Sequence, residues 1–89
     1  MAWRIEFDPA AAKELNQLGA TQALRIVKFL STRLAKLEDP RSIGEALKGR
    51  LGQLWKYRIG DYRIIADIRD KVLIILVVRV GHRREVYRQ

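Results

Sequence analysis

The chain has 89 residues, 48% of them apolar, and its 18 Lys and Arg against 10 Asp and Glu give a net charge of +8. With no cysteine and one histidine, His82, it excludes disulfides and the usual thiolate or histidine-cluster metal sites, and neither a metal nor a cofactor is expected. Length and apolar content predict a single domain, 1–89. The N-terminal residues do not resemble a signal peptide, and no apolar run is long enough to span a bilayer, so we expect a cytoplasmic protein without membrane contact.

The N-terminal region predicts a short strand followed by a helix. Apolar and charged residues alternate over residues 3–8, which is typical of a strand with one buried face. Asp8 then resembles a helix N-cap, and Pro9 suits the first helical position. The alanine-rich stretch 10–18 predicts a helix that Gly19 ends.

A second, longer helix is predicted after that glycine. Thr21 is its expected N-cap, and apolar residues at three- and four-residue spacing continue to Leu37. Two helices joined so tightly should form an antiparallel pair. The glycine-containing stretch 40–52 is predicted as a long connection.

Three strands are predicted in the C-terminal half. Residues 54–59 and 62–68 flank the turn signal Gly60–Asp61, and Asp70–Lys71 marks a turn before residues 72–80. The last of these strands is apolar on both faces, which places it inside the sheet. The order strand-helix-helix-strand-strand-strand predicts an α+β domain, with a small, mainly antiparallel sheet and the helix pair packed on one face.

The positive charge is concentrated in the C-terminal half. Residues 48–89 carry eleven Lys and Arg against four acids. If the hairpins pair in register, four cations share the helix-free face of the sheet: Lys56, Arg58, Arg63 and Arg79. Asp67 is the one acid expected there, where it should neutralise an arginine. Such a face is typical of polyanion binding, although a solvated basic face would show the same alternation.

This inventory of side chains suits phosphodiester cleavage in RNA. RNA supplies its own nucleophile, the 2′-OH, so the protein must orient it, accept its proton and stabilise the charged transition state. Arginines stabilise phosphate oxygens through charge-assisted bonds. Lys56 lies among arginines, whose charge favours the neutral amine, so it is a candidate general base. The same residues would also serve simple RNA or DNA binding.

Five stretches of the chain resemble the RelE toxins of bacterial toxin–antitoxin pairs. They are Ile5–Ala11 (IEFDPAA), Leu47–Gly49 (LKG), Leu54–Arg58 (LWKYR), Gly60–Arg63 (GDYR) and Val80–Tyr87 (VGHRREVY). The last stretch is the most specific. Together the stretches extend over essentially the whole chain.

The resemblance implies a compact α+β toxin that enters the ribosomal A site and cleaves the mRNA codon there without metal. The 2′-OH attacks, leaving a 2′,3′-cyclic phosphate and a 5′-hydroxyl. The implied partners are the 70S ribosome with its mRNA and a RelB-like antitoxin with an acidic, partly disordered segment. Operator DNA is an implied partner only through the toxin–antitoxin complex, which would repress its own operon.

The resemblance also assigns catalytic roles. Lys56 is the implied general base, Arg63 the transition-state clamp, Arg83 the general acid or stabiliser of the leaving group, and Tyr87 the side chain that stacks on the codon. Arg58 stands where the family has a second lysine, and because a guanidinium is not deprotonated it cannot serve as a base.

Further cations are predicted to bind RNA or the ribosome: Lys48, Arg50, Arg58, Arg79, His82 and Arg84. His82 is also a possible acid or base, with a solvent-facing turn histidine as the alternative. Two other functions stay open. One is a ParE-like DNA gyrase inhibitor, which shares the fold, and the other is a non-catalytic nucleic-acid-binding protein that acts with its antitoxin as a repressor.

Overall fold

A computed structural model describes residues 3–47 and 54–82. It contains two α-helices and a five-stranded sheet, which confirms the α+β class. In chain order the elements are β1 (Arg4–Phe7), α1 (Pro9–Gln17), α2 (Ala20–Thr32), β2 (Glu45–Ala46), β3 (Leu54–Ile59), β4 (Tyr62–Arg69) and β5 (Ile74–His82). Short 3-10 segments lie at Leu34–Lys36, Pro40–Ile43 and Asp70–Val72.

The sheet has the strand order β1-β5-β4-β3-β2. β1 pairs with β5 in parallel, and the other three pairs are antiparallel, so the prediction of a mainly antiparallel sheet is confirmed. β5 is an interior strand, as its two apolar faces predicted. The strand β2 was not predicted, and residues 40–52 were expected to form a connection. A strand of two residues is too short to show a period-two pattern in the sequence.

The start of α1 follows from its sequence. The Asp8 carboxylate accepts a hydrogen bond from the Ala10 N–H at 3.1 Å, and Pro9 takes the first helical position. The cap prediction for α2 was wrong: the helix begins at Ala20 and its N-cap residue is Gly19, whose φ of 91° lies in a region that glycine tolerates.

The second helix is also shorter than its apolar pattern predicted. It ends at Thr32, and the chain tightens into the 3-10 segment Leu34–Lys36. The Ala35 carbonyl accepts a hydrogen bond from the Trp3 N–H at 2.8 Å, which ties this segment to the start of β1. Leu34 is nevertheless fully buried, so the apolar spacing correctly identified a core residue while the backbone departed from the α-helix.

The core lies between the helix pair and one face of the sheet. α1 and α2 contribute Leu15, Ile26 and Leu30. The sheet residues that face them are Tyr57, Ile59, Ile64, Ala66, Ile68, Ile75, Val77 and Val80. Burial of this apolar surface is the main stabilising contribution, and it fixes which side chains of β3, β4 and β5 point away from the helices.

A β-bulge separates the two halves of β5. Ile65 of β4 pairs with Arg79, whereas the next residue, Ala66, pairs with Val77, so Val78 is an extra residue in β5. The bulge lets Val77 and Val80, three positions apart, both face the core. Arg79 consequently lies opposite Ile65, on the face of the sheet that points away from the core.

An ion pair connects two of the 3-10 segments. The Arg41 guanidinium donates to both carboxylate oxygens of Asp70, at 3.1 and 2.5 Å, and this bidentate contact lowers the pKa of Asp70 below its usual range. A carboxyl group whose pKa is lower in the folded state adds stability above its unfolded pKa, and that stability is lost as the pH falls through the folded value.

Asp70→Asn should therefore lower the urea midpoint of unfolding at neutral pH, because Arg41 loses its charged partner. The difference from the wild type should shrink as the pH falls and the Asp70 carboxyl of the wild type takes up its proton. Urea titrations over a pH series would measure it. Asp61→Asn, in the exposed turn between β3 and β4, is the matched control. A difference that stays constant with pH would contradict the role given to this ion pair.

Within the described ranges, none of the helices has the length and apolar character needed to cross a membrane.

Candidate nucleic-acid interface

The register of β3 and β4 gathers three of the predicted cations on the sheet face that points away from the core. Arg58 lies directly opposite Arg63, and Lys56 lies opposite Ile65. Tyr57 and Ile64, the intervening pair, face the core. The structure thus places Lys56, Arg58 and Arg63 together, as the alternation indicated.

The three cations line a cavity of about 150 Å³ beside the short edge strand β2. Its walls are formed by Ile43, Glu45, Lys56, Tyr57, Arg58 and Arg63. Two guanidinium groups and one amine around so small a cavity favour an anion with several acceptor oxygens, such as a phosphate.

Arg63 is the most buried charged residue of the described chain, with 9% of its surface exposed. Its Nη1 donates to the carbonyl of Tyr62 at 3.2 Å and reaches the carbonyl of Gly60 at 3.4 Å. The positive φ of Gly60, 58°, closes the tight turn that presents this carbonyl. The guanidinium is therefore held against the β3–β4 turn and is oriented before any ligand arrives.

Arg58 is exposed and faces Arg63 across the two strands. Like charges directly opposite on a sheet are destabilising, by up to about 1 kcal/mol. If this face of the sheet needed only to be solvated, an acid would be expected opposite an arginine, at position 58 or 63. A bound anion would relieve this repulsion, so the arrangement favours anion binding.

The cavity also contains an acid that the sequence reading did not identify. Glu45 of β2 pairs in register with Lys56, and its Oε2 lies 3.7 Å from the lysine Nζ. Asp67 was expected to be the one acid on this face, and that prediction was wrong because β2 was not predicted. Asp67 itself pairs with Arg69 at 3.1 Å, which confirms that it neutralises a neighbouring arginine.

Arg79 lies apart from the cavity. It is on the Lys56 face by register, but its Nε donates to Glu14 of α1 at 3.2 Å. The second oxygen of Glu14 accepts from the Val80 N–H at 2.9 Å, beyond the point where β1 stops pairing with β5. Glu14 thus satisfies a backbone donor at an otherwise unpaired strand edge and holds Arg79 beside it.

His82 also lies outside the cation cavity. It is exposed at the end of β5, and its ring contacts Tyr62 edge to face with the centroids 6.0 Å apart. The two rings and Glu14 line a separate cavity of about 430 Å³ next to α1.

Five of the predicted site residues fall outside the described ranges: Lys48, Arg50, Arg83, Arg84 and Tyr87. Their roles stay predictions. Among residues 3–47 and 54–82, no group of three histidine, cysteine or acidic side chains is arranged to hold a metal ion.

The fold matches solved structures of bacterial toxins that pair with antitoxins. A RelBE toxin–antitoxin complex of Mycobacterium tuberculosis superposes with a TM-score of 0.85 at 25% identity and covers 93% of each chain. A doubly substituted RelE toxin of Escherichia coli in the free state superposes at 0.78 with 30% identity, covering 98% of this chain and 92% of that one. The protein is therefore a small α+β toxin-fold domain with a basic cavity on its sheet.

Sequence comparison specifies the family. Residues 5–87 match the family described as the ParE toxin of the type II toxin–antitoxin system parDE. The mRNA interferase toxin RelE of Escherichia coli is 32% identical over 91 aligned positions, which cover 98% of this chain and 92% of the relative. The chain belongs to the RelE/ParE family of toxins of type II toxin–antitoxin systems.

Proposed function

We propose that this toxin is an endoribonuclease that cleaves mRNA bound in the A site of the 70S ribosome, by attack of the RNA 2′-OH and without a metal ion. The observation that carries the proposal is that three cations, Lys56, Arg58 and Arg63, line one small cavity. The 32% identity to a relative named an mRNA interferase supports the same substrate.

The chemistry follows from the groups around the cavity. The scissile phosphate binds between Arg58 and Arg63, and their charge stabilises the dianionic phosphorane as the 2′-oxygen bonds to phosphorus. The P–O5′ bond then breaks, leaving a 2′,3′-cyclic phosphate, and the leaving 5′-oxygen takes a proton. Arg83 is proposed as the general acid or as the stabiliser of this leaving group. Tyr87 is proposed to stack on a codon base.

The reaction also needs an acceptor for the 2′-OH proton. A guanidinium has no basic lone pair, which excludes Arg58 and Arg63. The Tyr57 hydroxyl is buried and donates to the Pro40 carbonyl at 2.7 Å. Of the described residues that line the cavity, Lys56 and Glu45 are left as candidates.

Dependence on the ribosome follows from the small size of the site. A cavity of about 150 Å³ holds one phosphate and offers little surface to align the neighbouring nucleotides for in-line attack. The ribosome would hold the mRNA in place, and the further cations Lys48, Arg50, Arg79, His82 and Arg84 would contact ribosomal RNA. Free RNA should accordingly be a poor substrate.

The proposed inhibitor is a RelB-like antitoxin whose acidic, partly disordered segment binds the basic toxin. The solved relative from Mycobacterium tuberculosis is a toxin–antitoxin complex, and the net charge of +8 favours an acidic partner. Together the two proteins would bind operator DNA through the antitoxin, in the cytoplasm.

Purified toxin added to translating ribosomes tests the proposal. We expect cut mRNA with 2′,3′-cyclic phosphate ends, in the presence of EDTA at a level that ribosomes tolerate. Lys56→Ala should lower the cleavage rate by about 10²-fold or more, because it removes a charge beside the phosphate and one candidate acceptor. The matched control is Lys71→Ala, an exposed lysine in the 3-10 segment Asp70–Val72.

Intact mRNA together with full ribosome binding would contradict the nuclease. If expression of Lys56→Ala still arrested growth as the wild type does, a non-catalytic binding function would be favoured instead.

The family match to ParE toxins favours a second candidate, inhibition of DNA gyrase. Supercoiling assays separate the two functions. Gyrase inhibition with translation unaffected would support this candidate, whereas we expect supercoiling to proceed normally at toxin concentrations that stop translation.

A further inference from the structure

Glu45 occupies a fixed place at the wall of the cation cavity. It pairs in register with Lys56, and the carboxylate lies 3.7 Å from the lysine amine. Its side chain is 79% exposed, compared with 27% for the lysine, so the carboxylate is accessible from solvent. Glu45 is the acid among the described residues that line this cavity.

The segment that carries Glu45 is anchored on both sides. After it, the Leu47 N–H donates to the Leu54 carbonyl at 3.0 Å, which continues the pairing of β2 with β3. Before it, Gly44 lies against the buried ring of Tyr57, so close that a Cβ on Gly44 would stand 2.7 Å from the ring atom Cε1. The backbone of Glu45 is therefore held in register with Lys56.

The two candidate acceptors differ in what they need before they can take a proton. A carboxylate carries lone pairs in its ionised state and accepts a proton directly. An ammonium group has three donors and no lone pair, so Lys56 would first have to lose a proton before it could accept one.

We propose that Glu45 is the general base of the cleavage reaction and that Lys56 holds its carboxylate in place. This inference rests on the proposed ribonuclease function. The 2′-OH proton moves to a carboxylate oxygen of Glu45 as the 2′-oxygen bonds to phosphorus. The P–O5′ bond breaks, the leaving 5′-oxygen takes a proton from water, and Glu45 then releases its proton to the hydroxide that remains.

Single-turnover cleavage of ribosome-bound mRNA over a pH series tests the assignment. Glu45→Gln should cut about 10²- to 10⁴-fold more slowly, the range that general-base catalysis supplies. It should also lose the rise of the rate with pH on the acidic side of the profile. Ribosome binding and thermal stability should match the wild type, because the amide keeps the shape of the side chain.

Glu6→Gln is the matched control. Glu6 is an exposed glutamate on β1, the opposite edge strand of the sheet, and it is also ion-paired, with Arg4 at 3.1 Å. The Glu6→Gln variant should show the cleavage rate and the pH profile of the wild type. Lys56→Ala should cut slowly yet keep the acidic rise, since the base is still present.

Three results would overturn the inference. They are a Glu45→Gln rate within about threefold of the wild type, a slow Glu45→Gln that keeps the acidic rise, and a Lys56→Ala that loses this rise. Each of these leaves the wild type cleaving mRNA, and so leaves the proposed function intact. A wild type that does not cleave at all would contradict the proposed function itself.

Discussion

Arg63→Ala is expected to lower the single-turnover rate of mRNA cleavage by about 10²- to 10³-fold, the cost of removing one preorganised donor from a developing oxyanion. The reason is geometric. Arg63 is 9% exposed, and its guanidinium is held by the carbonyls of Tyr62 and Gly60, so the group does not have to reorganise when the phosphate acquires charge. Toxicity on expression should disappear with the activity.

Two further variants separate catalysis from folding. Arg63→Lys keeps the positive charge and loses the planar fork, so it should recover only part of the rate. Arg69→Ala removes an arginine from the same strand that is exposed and paired with Asp67. We expect Arg69→Ala to cut at the wild-type rate. An Arg63→Ala protein that is folded by circular dichroism and cuts as fast as Arg69→Ala would contradict the role of Arg63.

Tyr57→Ala is expected to have the largest effect on stability, lowering the free energy of unfolding by about 3–5 kcal/mol, as truncations of buried aromatic side chains do. Tyr57 is 2% exposed and packs in the core on the face opposite Lys56. Its ring supports Gly44, and its hydroxyl donates to the Pro40 carbonyl at 2.7 Å. The variant should therefore also loosen the segment that carries Glu45. Urea denaturation followed by circular dichroism measures the stability.

Tyr57→Phe is the matched variant, because it keeps the ring and removes the hydroxyl. It should cost about 1 kcal/mol, the value of a typical hydrogen bond. Burial raises the pKa of the Tyr57 phenol, so its contribution is complete below the ordinary tyrosine pKa and declines as the pH rises above it. A Tyr57→Phe protein as unstable as Tyr57→Ala would show that the hydroxyl contributes more than the ring.

The parts of the fold that were predictable are those with a strong repeating pattern. The alternation of β3 and β4 identified both strands, and it identified the face that carries Lys56, Arg58 and Arg63. Asp8 and Pro9 marked the start of α1, because an N-cap acceptor followed by proline satisfies the first turn of a helix. In each case the local chemistry and the tertiary structure agree.

The errors lie where tertiary contacts override local preference. The apolar spacing through Leu37 predicted a continuous α2, but the backbone turns after Thr32 to meet the start of β1 at Trp3. Gly19 replaced Thr21 as the cap because its positive φ lets the chain reverse between the two helices. Neither the contact with Trp3 nor the tight reversal can be read from residue spacing.

The cations of the candidate site were predicted from the sequence, but its acid, Glu45, was not. Lys56, Arg58 and Arg63 lie on long strands, whereas Glu45 belongs to a two-residue strand within a glycine-containing connection. Arg79 reached the expected face by register, but its partner is Glu14, 65 positions away in the sequence. Such a distant pairing depends on how α1 packs beside β5, which charge counts along the chain do not reveal.

The extra residue in β5 has a consequence for how the protein tolerates changes in length. Because Val78 is unmatched on β4, the core-facing residues of β5 change at this point from odd-numbered to even-numbered positions. Deleting Val78 would restore a regular ladder in which Val77 still pairs with Ala66 and Arg79 still pairs with Ile65, so Val77 and Val80 would keep facing the core and Arg79 would keep facing away from it. Position 78 is therefore a place where β5 can lose a residue without turning its neighbours over, and a shortened strand should be tolerated here.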